Sequence, residues 1–103
     1  MFGKWKRQRL CRIVVRGAAG EILMDADEAN YTLSEAAVVA LSVEFFNDPE
    51  PCEIHRAAVR HRAVQQLREA CPSGVDVPAD GLTSELRALL PEGAATVRFE
   101  EAG

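Results

Sequence analysis

The sequence predicts an α+β domain: an N-terminal β-hairpin, two long helices, a short helix and a C-terminal strand completing a three-stranded antiparallel sheet, in the order ββαα(α)β. Three observations carry this. Residues 9–16 and 21–27 alternate between apolar and polar side chains on either side of Gly17-Ala18-Ala19-Gly20. Residues 32–47 and 51–71 carry helical apolar spacing bounded by capping residues and prolines. Residues 96–100 alternate again near the end of the chain.

In the hairpin, Cys11, Ile13 and Val15 share one face, and Arg12, Val14 and Arg16 share the other. Placing Arg16 opposite Glu21 puts Arg12 opposite Asp25, Val14 opposite Leu23, Val15 opposite Ile22, Ile13 opposite Met24 and Cys11 opposite Ala26. A one-residue slip would set arginines against apolar partners, so this register satisfies both faces at once. The expected inward set is Cys11, Ile13, Val15, Ile22 and Met24.

The first helix starts at Thr32-Leu33-Ser34-Glu35, which fits a capping box with Thr32 as cap and Tyr31 as a staple onto Ala36. It runs to about Asn47, before Asp48-Pro49-Glu50-Pro51. Leu33, Ala36, Ala37, Val38, Val39, Ala40, Leu41, Val43, Phe45 and Phe46 surround it, leaving no broad polar face. Such a helix needs cover on more than one side, by the hairpin and second helix or by a partner subunit. Leu41, Phe45 and Phe46 are expected among the costliest core truncations.

The second helix starts near Pro51 and runs to about Cys71, with Ile54, Ala57, His61, Val64, Leu67 and Cys71 as its apolar stripe. A loop with Pro78 and Gly81 follows, then a short helix from Ser84 to Leu90. The last strand, Thr96 to Glu100, directs Val97 and Phe99 inward. The expected organisation is a basic arm over residues 1–8, a single domain over 9–100 and a tail over 101–103.

Charge is sorted into blocks. All charged side chains up to position 16 are basic, and residues 17–55 contain no Lys or Arg while carrying nine acids. Arg56, Arg60, Arg62 and Arg68 then gather on the second helix. Opposite blocks either pair within the fold or face partners. A net charge of -4 argues against non-specific nucleic-acid binding by the domain as a whole. No apolar run approaches a membrane span of roughly 18 residues, and Arg12 interrupts the one short run after the basic start, so no signal peptide is read. Three cysteines at irregular spacing, Cys11, Cys52 and Cys71, indicate no disulfide framework and a reduced, cytoplasmic setting. The excess of Arg over Lys and the many alanines fit a GC-rich bacterial genome.

Chemical motifs are sparse. Cys52 and His55 are three apart on a helix, but a zinc site needs three or four ligands, and neither Cys71 nor His61 joins them by spacing. Asp25 to Asn30 brushes a calcium-loop pattern and fails it at Ala29, at the missing glycine and at Ala36. Cys11 is expected on the inward strand face, where a thiol is inert, and Gly17 to Gly20 is too short for a phosphate loop. Accordingly no catalytic, metal or cofactor residue is assigned, and no enzyme is expected.

The strongest local patch is Lys4, Trp5, Lys6, Arg7 and Arg9, basic groups around one aromatic. With the over-apolar first helix, it points to a small regulatory or adaptor domain acting by protein–protein contact as a homodimer, with Val38, Val39, Phe45 and Phe46 as dimer contacts. The alternative is a nucleic-acid-binding module using the arm and the arginines of the second helix.

Overall fold

The computed structural model describes residues 11–101, and the basic patch at Lys4, Trp5, Lys6, Arg7 and Arg9 lies outside them. Strand β1 (Cys11–Gly17) pairs antiparallel with β2 (Ile22–Asp27). Between them Gly20 N–H bonds Gly17 O at 2.9 Å and Gly17 N–H bonds Glu21 O at 2.8 Å. Gly20 sits at φ 85, the left-handed region that glycine occupies freely. The result is a three-residue loop rather than the expected even turn.

That loop moves the register by one residue, and a bulge moves it by one more. Arg16 pairs with Ile22 but Val15 pairs with Met24, so Leu23 is the extra residue on β2. Beyond the bulge Ile13 faces Ala26, Val14 faces Asp25 and Arg12 faces Asp27. The expected register is therefore wrong by two residues. Because side chains alternate with period two, the double shift restores the intended faces. Cys11, Ile13 and Val15 are buried, and Met24 packs on the core. Ile22, on the loop side of the bulge, is turned outward and 54% exposed, contrary to expectation.

The sheet has four strands, in the order β2-β1-β4-β3. Strand β4 (Ala94–Glu101) runs antiparallel to β1 and extends into the expected tail. The fourth strand, β3 (Asp76–Pro78), pairs with the outer edge of β4. At three residues it is too short to show alternation, and its proline suits a sheet edge.

One face of the sheet carries the core. Val15, Val97 and Ile13 are fully buried, Phe99 is 1% exposed, and they cluster with Ala63, Val64 and Leu67. The last three belong to helix α2 (Glu53–Ala70). The inward stripe of α2 is Val59, Ala63, Val64 and Leu67, continued by Cys71. The expected stripe is thus rotated over its first half: Ile54 is 76% exposed, and Ala57 and His61 face solvent. Both stripes offer apolar residues at helical spacing, and the first turn of α2 runs past what the sheet covers.

The opposite face carries a chain of ion pairs across all four strands. Arg12 on β1 grips Asp25 on β2 with two hydrogen bonds of 2.9 and 2.8 Å and reaches Glu100 on β4 at 3.2 Å. Arg98 continues the row, to Glu100 at 3.1 Å and to Asp76 on β3 at 3.4 Å. The expected Arg12–Asp25 pair forms, but diagonally across the register. Its hydrogen bonds hold the Asp25 carboxyl below its ordinary range. Exposed pairs of this kind fix register more than they stabilise.

Helix α1 (Glu35–Phe46) is capped by Ser34, whose Oγ accepts from Ala37 N–H at 3.1 Å. Thr32 is therefore not the cap, and Glu35 pairs with Arg56 instead of reaching back. Tyr31 is not a staple onto Ala36. It is 2% exposed in the core, and its hydroxyl donates to Leu89 O at 2.7 Å. Asn47 ends α1 in the left-handed conformation, donating its N–H to Ser42 O and Val43 O. The expected short helix is trimmed to α3 (Ser84–Arg87), capped by Thr83. None of the helices among the described residues is long and apolar enough to cross a membrane.

Candidate functional site

The main neighbour of helix α1 among the described elements is α2, and Leu41 also packs on the core cluster. Its two sides follow from helical spacing. Val38, Leu41, Ser42 and Phe45, at i, i+3, i+4 and i+7, form the inner stripe. Val38 is 8% exposed and Ser42 is fully buried, its Oγ without a hydrogen-bond partner among the described residues. An unmet buried hydroxyl costs stability, so α1 is held less firmly than its apolar content suggests.

Ala36, Val39, Ala40 and Val43, again at i, i+3, i+4 and i+7, form a second stripe, which Phe46 extends by one turn. Ala36 and Ala40 are exposed, Val39 is half-buried, Val43 is 43% exposed and Phe46 38%. No charged residue interrupts this outward stripe. Beside it opens a groove of about 250 Å³, where Ala37, Ala40 and Leu41 of α1 face Ala88 and Leu89 after α3. The short helix thus does not close over α1.

The expectations for α1 change accordingly. Leu41 and Phe45 are half-buried and Phe46 is exposed, so the costliest truncations lie in the sheet and α2, not here. Of the expected dimer contacts, Val38 faces inward, and Phe45 is half-buried with the Arg62 guanidinium carbon 4.5 Å above its ring. Val39 and Phe46 belong to the outward stripe. Ala36, Ala40 and Val43 join them, a set legible in the sequence as an i, i+3, i+4, i+7 pattern but masked there by a second such pattern on the same helix.

The corner between α1 and α2 is built from aromatics. The Phe46 ring stacks on the His55 imidazole, centroids 4.2 Å apart and planes 5° apart, and meets Phe45 edge-on at 6.5 Å. His55 Nδ1 lies 2.7 Å from Asp48 Oδ2. That contact, with the Glu50 N–H on the other oxygen, holds the Asp48 carboxyl below its ordinary range.

Cys52 and His55 are not brought together with the other two ligand candidates. Cys71 is buried in the core, and His61 Nδ1 lies 3.4 Å from Glu28. Among the described residues no group of three or more His, Cys, Asp or Glu is placed to hold a metal ion. In the calcium-like stretch, Asp25 is held by Arg12, and Asp27 accepts from Asn30 N–H and Nδ2.

The arginines of α2 are largely committed. Arg56 makes a two-pronged contact with Glu35 at 3.0 and 2.8 Å, Arg62 covers Phe45, and Arg68 reaches Glu101 at 2.7 Å. Arg60 and Arg62 have no ion pair or side-chain hydrogen bond among the described residues, Arg62 meeting only the Phe45 ring.

Cys11 and Cys71 are buried, and burial pushes both thiols up, whereas Cys52 is exposed at the start of α2. A thiol-reactive dye should therefore label one cysteine per folded chain, at Cys52, and the other two only after denaturation. Rapid labelling of two or three thiols in the native protein would contradict this burial. No known family, curated protein or solved structure matches this chain.

Proposed function

We propose that this is a small regulatory or adaptor domain acting by protein–protein contact, and that it self-associates through the outward stripe of α1. The carrying observation is that stripe: Ala36, Val39, Ala40, Val43 and Phe46 share one side of α1, four of them exposed and Val39 half-buried, with no charge among them. Surface apolar residues scattered singly need no explanation, but a continuous helical seam does.

A second copy suits it because the stripe grades in size along the helix. Ala36 and Ala40 lie toward its start, Val43 and Phe46 toward its end. A two-fold axis uses the same patch on both chains and runs the helices antiparallel. Bulky residues of one then fall on alanines of the other, and the helices approach to about 8–10 Å. Twelve residues make a helix about 18 Å long, so this seam alone covers less than the ~800 Å² per partner of a standard interface. A modest, concentration-dependent dimer is expected. Pairing through the β2 edge is the poorer route, since the Leu23 bulge and the charges of Asp25 and Asp27 blunt it.

The test is Val43→Glu. This side chain is 43% exposed in the single chain, so the substitution should leave the melting temperature nearly unchanged. It should shift the gel-filtration and light-scattering mass from dimer toward monomer. A stable dimer in the variant would overturn this seam. The association should also tolerate salt, because it buries apolar surface, whereas binding of RNA or DNA would weaken steeply with salt.

A further inference from the structure

We infer that the pocket between α2 and the stretch leading into α1 binds the carboxylate of a small organic acid, with Arg60 as its anchor. This goes beyond the self-association reading and does not rest on it, since the pocket shares no residue with the outward stripe of α1. Arg56 and Arg60 line it together with Asn30, Thr32, Leu33 and Val38. Its volume is about 340 Å³, within the roughly 300–1,000 Å³ of small-molecule sites.

Arg56 and Arg60 stand four residues apart on α2 and so share one side of it. Arg56 shows what a guanidinium takes there. Its two terminal nitrogens hold the two carboxylate oxygens of Glu35 at 3.0 and 2.8 Å, and its Nε donates to Pro51 O at 3.2 Å. Arg60 offers the same planar fork. It is half-buried and has no ion pair, side-chain hydrogen bond or ring contact among the described residues. No Asp or Glu among the described residues lines the pocket, so the chain supplies no acceptor for that fork.

The rest of the lining suits one end of a small acid each. Asn30 Nδ2 donates to Asp27 at 2.8 Å and keeps a second N–H, and the Thr32 hydroxyl makes only a long 3.4 Å bond to Asn30 O. Leu33 and Val38 give the body of the acid an apolar wall. The ligand's charge follows from the surroundings. Glu35 sits on Arg56, Glu28 lies two residues before Asn30, and the chain carries a net charge of -4. A dianion such as phosphate meets that repulsion twice over. One uncommitted guanidinium balances one carboxylate, through two parallel N–H···O bonds.

The test is a titration of the isotope-labelled chain with butyrate at constant ionic strength, followed by two-dimensional NMR. Butyrate should give saturable shifts at Arg60 Nε and in residues 30–33. Butyramide, the same body without the charge, should give none. Arg60→Gln should weaken butyrate binding by at least about tenfold, with circular dichroism and melting unchanged. Arg60→Lys keeps the charge without the fork and should fall between the two. Phosphate should bind more weakly than butyrate. Absence of saturable shifts with butyrate, or equal shifts in Arg60→Gln, would overturn the site. Equal binding of butyramide, or tighter binding of phosphate, would overturn its assignment to a carboxylate.

Discussion

Replacing Phe99 by Ala should cost about 3–5 kcal/mol of unfolding free energy, the largest effect expected of any single aromatic truncation in the described fold. Phe99 lies on β4 opposite Ile13 of β1, is 1% exposed, and sits in the cluster with Val64 and Leu67 of α2. Sheet and helix enclose it, so the site collapses poorly and a cavity adds to the lost burial. Total stability for a domain of this size is about 5–15 kcal/mol, so the variant should melt far lower or fail to fold. Phe46→Ala, on the exposed end of α1, should be mild by comparison. Urea denaturation of both measures the difference, and equal destabilisation would place α1 in the core after all.

Tyr31 carries the second large effect. Its buried hydroxyl is the tie between the segment before α1 and the carbonyl of Leu89 after α3. Tyr31→Phe leaves that carbonyl without this partner, at a cost of about 1–3 kcal/mol. The phenol also makes stability fall at high pH. Burial raises its pKa above the ordinary 10.0, the nearby Cys71 thiol adding to the shift, and burial likewise raises Cys11 and Cys71 above 9.0. In the unfolded chain these groups release protons at their ordinary values, while the folded chain still holds them. Stability is therefore full below about pH 9 and declines as pH rises past it. Urea midpoints measured stepwise upward from neutrality should fall, and fall less steeply in Tyr31→Phe. A flat alkaline profile would contradict the burial of all three groups.

The element order and the inward faces of the hairpin and last strand were legible because alternation survives in Cys11, Ile13, Val15, Val97 and Phe99. The register was not, because nothing in Gly17-Ala18-Ala19-Gly20 distinguishes a four-residue turn from a three-residue loop, and nothing marks Leu23 as a bulge. The two errors each moved pairing by one residue, which is why Arg12 still finds Asp25 while Ile22 turns outward. The charge blocks were legible as partners: Arg12 of β1 meets Asp25 and Glu100 across the sheet, and Arg56 and Arg68 bind Glu35 and Glu101, while Arg16 bonds the Gly20 carbonyl instead of an acid. Helix α1 was legible as over-apolar but not as half-uncovered. Ala36, Val39, Ala40 and Val43 repeat the spacing of Val38, Leu41, Ser42 and Phe45, and periodicity alone does not rank two stripes. The β3 strand and the phase of α2 over Ile54 to His61 failed for want of length and of contrast.

Whether the outward stripe of α1 is a seam between copies is tested most directly by sedimentation equilibrium of the unmodified chain over a wide concentration range. The weight-average mass should climb from the 11.3 kDa of one chain toward twice that value, along a single monomer–dimer isotherm insensitive to salt. A mass that stays at one chain up to the highest concentrations attainable would contradict it.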